Sequence, residues 1–151
     1  VKLRAVVTAV GAVAAALVVV SPAQAATAQA RGYDHKDPYQ TGCGNSARPV
    51  RTGKIMSTLE GQVGTIKLMY SFRCKTNWVE INTMTAGYGS ITVQNAKGTI
   101  DTFQYKKGNG GRHWGNMVNG NNMCAWGSAS VKWGTGMGGQ RGSGGTGQAC
   151  K

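Results

Sequence analysis

Apolar side chains recur at every second residue through the middle of this chain. No stretch downstream of its first thirty residues repeats at the three-to-four spacing of an amphipathic helix. Residues 65–70 show the pattern best: Ile66, Leu68 and Tyr70 share one face, and Thr65, Lys67 and Met69 the other. That is the signature of a half-buried strand. Residues 78–82 follow a short turn around residues 73–77 and read as the hairpin partner. Residues 90–94 alternate ahead of a turn at 95–98. Residues 99–105 alternate with Ile100, Phe103 and Tyr105 unevenly spaced, which points to a bulge. Residues 31–50 read as irregular, punctuated by Gly32, Pro38, Gly42, Gly44 and Pro49. Residues 106–122 read as a loop, and 123–133 as the last strand. The expected fold is all-β: five to six short antiparallel strands in a small sandwich or barrel.

The ends of the chain read differently. Residues 1–30 have the order of an export signal: Lys2 and Arg4, then a mainly apolar run over 5–20, then Ser21-Pro22 and two A-x-A sites at 23–25 and 28–30. The apolar run is shorter than the roughly 20 residues a membrane span needs. A cleaved signal peptide is therefore expected, followed by a secreted β-domain at 31–133 with no membrane span. Residues 134–147 hold 8 Gly in 14. With almost no apolar content, residues 134–151 read as a flexible Gly-rich tail ending in a Cys. The tail lacks the strand before and helix after that a phosphate-cradling glycine loop requires.

Cys43, Cys74, Cys124 and Cys150 form an even set in a chain expected to be exported, so two disulfides are expected. Four cysteines allow three connectivities. Every gap exceeds twenty residues, unlike the close pairs of a zinc site, and neither metal nor cofactor is expected.

Charge narrows the partners. Lys+Arg number 17 against 5 Asp+Glu, and losing Lys2 and Arg4 with the leader takes the net charge from +12 to about +10. Such a domain favours polyanions: anionic cell-wall polymers such as teichoic acids, acidic polysaccharides, anionic lipid head groups and released nucleic acid. The densest basic group lies in the predicted loop, where Lys106, Lys107, Arg112, His113 and Trp114 are candidate contacts for a polyanion or glycan. Tyr105 adds a second aromatic, but no nucleic-acid-binding motif accompanies them, so specific nucleic-acid binding is not expected.

Two sequence blocks add a resemblance. Residues 33–38 read Y-D-H-K-D-P, followed by Thr41-Gly42-Cys43, and residues 65–78 read T-I-K-L-M-Y-S-F-R-C-K-T-N-W. Together they resemble the small secreted YjfA-like bacterial proteins, common in actinobacteria and catalogued as a domain of unknown function, number 2690. Asn116-Met117-Val118 and Met123-Cys124-Ala125 resemble that family's closing blocks, so the likeness covers roughly residues 33–126. Tyr33 stands where the family often has Cys, His35 where it often has Gly, and Met69 where Arg is usual. The resemblance implies export and a compact domain, and it supplies no activity. It also implies that Cys43 pairs with Cys74, both in the shared core. Cys124 would then pair with Cys150, which stands in for the Cys lost at Tyr33.

Catalytic residues are harder to assemble. The acids after the leader are Asp34, Asp37, Glu60, Glu80 and Asp101, and the histidines are His35 and His113. Asp34 and Asp37 read as turn residues bonding nearby backbone N–H groups. Glu80 and Asp101 read as outward partners for Lys or Arg across a sheet. No G-x-S-x-G or H-E-x-x-H pattern is present, and oxidised cysteines are not nucleophiles. No catalytic residue is assigned. Trp78 reads as core; Trp114, in polar and Gly-rich surroundings, is the better candidate for stacking on a sugar. The expected protein is a secreted, non-catalytic, basic monomer associating with the cell envelope or extracellular polyanions. The alternatives are a cationic antimicrobial, a protease inhibitor presenting Arg73, or a wall-acting hydrolase.

Overall fold

The computed structural model describes residues 32–135 and 140–150. The expected signal peptide lies outside the described residues, as do residues 136–139 of the Gly-rich segment. The described residues fold into ten strands: β1 (Ala47–Ser57), β2 (Gly61–Ser71), β3 (Thr76–Thr83), β4 (Tyr88–Asn95), β5 (Ile100–Tyr105), β6 (Arg112–Trp114), β7 (Val118–Asn119), β8 (Cys124–Trp133), β9 (Gln140–Gly145) and β10 (Ala149–Cys150). Every pairing is antiparallel. They make one sheet in the order β5-β4-β8-β9-β1-β2-β3-β6, with β10 added to β8 and β7 to β3. The sheet curls into a nearly closed barrel whose two edges, β5 and β6, meet at a seam where the rings of Tyr105 and His113 lie 4.4 Å apart.

The all-β class is as expected; the strand count is ten, not five to six. The five strands legible in the sequence are β2, β4, β5 and β8, read from alternation, and β3, read as the hairpin partner of β2. β1 lies mostly beyond the segment read as irregular, and its few apolar residues give no alternation. Pro49 sits where its register with β2 shifts, which suits a residue with no N–H to give the ladder. β6 and β7 arise inside the expected loop. The bulge expected in β5 is absent: its register with β4 runs unbroken from Gln94↔Ile100 to Gly89↔Tyr105. The uneven spacing reflects Ile100 facing outward with 49% of its surface exposed.

The flexible tail also needs correction. Residues 140–145 form β9 between β8 and β1, and β10 pairs with β8. Glycine makes this possible through close approach. A Cβ on Gly144 would lie 2.1 Å from the Lys54 carbonyl oxygen, and one on Gly53 2.2 Å from that of Gly145. The low apolar content that argued for disorder is what lets two backbones touch. Gly144→Val is expected to destabilise the domain by about 1–3 kcal/mol, read as a lower thermal midpoint.

The inward core gathers Ile55, Ile66, Leu68, Val79, Ile81, Ile91, Val93 and Val131. β3 is buried on both faces. Val79 and Ile81 point into the barrel, while Trp78 joins Cys43, Cys74 and Met117 in a second cluster on the other side. Tyr33, Ala47, Met69 and Trp114 pack against that cluster. The segment ahead of β1 thus crosses the outside of β3, pinned by the Cys43–Cys74 disulfide. The Cys124–Cys150 disulfide joins β8 to β10, whose residues 124 and 150 are register partners.

Candidate functional site

The seam between β5 and β6 gathers most of the candidate residues. β5 ends at Tyr105 and runs directly into Lys106 and Lys107. The chain turns through Asn109–Gly111 and returns as β6, placing Arg112, His113 and Trp114 beside β3. Gly111, at φ +79°, lies where a Cβ would be 1.9 Å from the Thr83 carbonyl oxygen, so only glycine lets this return seat against β3. The result is a cleft of about 410 Å³ lined by Asp37, Phe103, Tyr105, Lys106, Lys107, His113 and Trp114, among others.

Of the five sequence candidates, Lys106, Lys107, His113 and Trp114 line this one cleft. Arg112 stands behind it. Its guanidinium bonds Glu80 at 3.1 Å and the Tyr39 hydroxyl at 2.7 Å, and lies over the rings of Tyr39 and Trp114. The Glu80 carboxylate holds Arg112 protonated, raising its pKa above the ordinary value. Arg112 therefore positions Trp114 and is already paired. Lys107 extends toward Tyr88, its ammonium 5.7 Å from the ring centre.

Glu80 departs from expectation. It pairs with an arginine of the neighbouring strand, as read, but it is buried because the segment ahead of β1 covers it. Its carboxylate accepts hydrogen bonds from the Tyr39 hydroxyl and, at 3.2 Å, from the Trp78 indole N–H. Burial, followed by the hydrogen bond to Glu80 and then by its charge, pushes the Tyr39 hydroxyl pKa well up. Asp37 does the expected turn chemistry, accepting from the backbone N–H of Tyr39 and Gln40. Its other oxygen accepts from the Trp114 indole N–H at 2.9 Å, fixing one wall of the cleft. Asp34 instead reaches across the fold to accept from the Asn119 backbone N–H in β7.

Asp101 is buried too, and its partner is His35, not Lys or Arg. His35 Nδ1 lies 2.8 Å from Asp101 Oδ2. His35 holds a left-handed backbone at φ 62°, and its N–H donates to the Met117 carbonyl. This tie from the entering segment to β5 spans 66 residues, and no local pattern announces it. Arg73, the conceivable inhibitor contact, donates to the Gly42 carbonyl at 2.9 Å. Among the described residues no cluster of three or more His, Cys, Asp and Glu could hold a metal ion, and no helix is long and apolar enough to cross a membrane.

Two buried atoms near the seam have no hydrogen-bond partner, Asp101 Oδ1 and His113 Nε2. Burial lowers the His113 pKa below its ordinary 6.5. The unfolded chain therefore takes up the proton first as pH falls, and stability contributed above about pH 6.5 is lost on acidification. His113→Phe keeps a ring against Tyr105 and removes the unpartnered nitrogen. It should leave stability equal or higher and flatten the slope of unfolding free energy between pH 5 and about 7, measured by urea titration. Burial also raises the Tyr105 hydroxyl to about 12, so it stays protonated and donates to the Ser130 carbonyl.

The comparisons agree with this outline of motifs. The model of a protein family of unknown function, DUF2690, matches residues 31–127. Uncharacterized protein YjfA of Bacillus subtilis (strain 168) is 33% identical over 66 residues, which cover 42% of this chain and 42% of YjfA's own length. No solved structure matches the chain. With the family model covering most of its length, including the Cys43–Cys74 core and the seam, this chain belongs to the DUF2690 family.

Proposed function

We propose that this is a secreted, non-catalytic, basic protein that associates with the cell envelope or extracellular matrix by binding anionic polymers at the β5–β6 seam. The observation that carries the reading is the cleft itself. It sets Lys106 and Lys107 beside the exposed ring of Phe103 and the half-buried ring of Trp114, apolar surfaces against which a sugar ring can pack. Charge supports it. Five carboxylates cannot neutralise the fifteen basic groups that remain once Lys2 and Arg4 leave with the leader, and Glu80 is already spent on Arg112. Binding at such a site is electrostatic in reach and weakens as salt shortens the Debye length from about 10 Å at 0.1 M to about 3 Å at 1 M.

The test is co-sedimentation of the oxidised protein with isolated cell walls, intact or stripped of teichoic acid. Binding is expected at low salt, lost at high salt or after stripping. Lys106→Ala/Lys107→Ala should lower the bound fraction severalfold, since each exposed charge contact contributes up to about 1 kcal/mol. No sedimentation under any condition would leave the charge a solubility device and overturn the reading.

A further inference from the structure

We infer that the outer face of β5, β4, β8 and β9 continues the seam cleft as a track for one linear anionic glycan, with Lys132 and Arg141 as its second cationic stop. The inference rests on the reading that the cleft takes an anionic polymer. Three concavities meet end to end. The seam cleft shares Gln104 and Tyr105 with a second hollow of about 360 Å³. That hollow shares Ser130 and Lys132 with a third of about 450 Å³.

Register explains the alignment. Gln104 pairs with Ser90, Ser90 with Ser130, and Ser130 with Ser143, so four polar side chains form one rung across four strands. Beside it runs a second rung, Tyr88–Lys132–Arg141. Cross-strand partners share a face, and residues two apart on a strand share it too. Three hydroxyls and an amide therefore lie alongside two cations and one aromatic ring. The Ser90 and Ser130 hydroxyls are 2.9 Å apart, and Lys132 and Arg141 are both exposed.

The chemistry selects the occupant. No carboxylate lines the second or third hollow, so the face repels no anion. Hydroxyl and amide groups suit a ligand rich in its own hydroxyls. Single-stranded nucleic acid instead calls for successive aromatic platforms. Tyr88 is the one exposed aromatic lining these two hollows. Strands lie about 4.8 Å apart, so the rung from β5 to β9 spans roughly 14 Å. That length, added to the seam cleft, calls for a polymer rather than a single sugar.

The experiment titrates the full oxidised protein with two polymers, polygalacturonate for carboxylate and purified wall teichoic acid for phosphodiester. The disaccharide of the first is titrated alongside. Tighter binding of one polymer identifies the anion. Lys132→Ala/Arg141→Ala should weaken that polymer about tenfold at low salt and leave the disaccharide unchanged. Both side chains are exposed, and unchanged thermal midpoints will verify folding. If Lys106→Ala/Lys107→Ala weakens the polymer and Lys132→Ala/Arg141→Ala does not, the track is overturned and the seam site stands. If the wild type binds neither polymer, the seam reading fails and the track with it. Equal binding of single-stranded DNA, with the same sensitivity to Lys132 and Arg141, would overturn the glycan as occupant.

Discussion

Replacing Cys43 and Cys74 by Ser is expected to cost roughly 3–4 kcal/mol, and Cys124→Ser/Cys150→Ser about as much. The bridges close loops with sequence separations of 31 and 26, and the chain-entropy model assigns each of them about 3.5 kcal/mol. A domain of this size has about 5–15 kcal/mol in total. Removing either bridge should thus leave a folded but weakened protein, and reducing both, about 7 kcal/mol together, should remove about half or more of its stability. The readout is the urea midpoint of the oxidised, singly bridged and fully reduced forms. A reduced form with an unchanged midpoint would refute the account. The two deletions should also fail differently. Losing Cys43–Cys74 frees the segment that covers β3 and exposes the Trp78 cluster. Losing Cys124–Cys150 frees β10 from β8.

Trp78→Ala is the second large effect, about 3–5 kcal/mol. Trp78 is fully buried and packs with Cys43, Cys74 and Met117. Tyr39 meets it edge-on at 6.3 Å and meets Trp114 at 4.9 Å. The cavity would therefore loosen Tyr39, and with it the wall of the cleft. Trp78→Phe fills most of the space but removes the indole N–H bonded to Glu80, and should cost only about 1–2 kcal/mol. The comparison separates volume from hydrogen bonding, and both variants are read by chemical denaturation. A Trp78→Ala protein as stable as wild type would mean the outer cluster is not a second core.

Much of this was legible in the sequence, for identifiable reasons. β2 could be read because one of its faces meets the barrel interior, which writes alternation into Ile66, Leu68 and Tyr70. β3 could be placed only as a partner, because burial on both faces erases the alternation. β9 could not be read at all: its strand character comes from partners over which its glycines slide close, and composition alone suggested disorder. The site divides the same way. Lys106, Lys107, His113 and Trp114 were near neighbours in sequence, and the turn keeps them together. The partners that set their positions, Asp37 on Trp114 and Glu80 on Arg112, come from 77 and 32 residues away. His35 and Asp101 are likewise joined only by the closing of the barrel. Lys132 and Arg141 belong to the outer face through register, which no local pattern shows.

The position of β9 also dictates when this protein can become one object. The strands before it make two separate sheets, β1-β2-β3-β6 and β5-β4-β8, and β9 alone bridges them in the ladder. A chain emerging from its N-terminus must hold both half-sheets open, with their edges unpaired, until residues 140–145 arrive. Contacts of such long sequence separation slow folding. The barrel is thus latched late, and until then its two half-sheets lack the strand that joins them in the ladder.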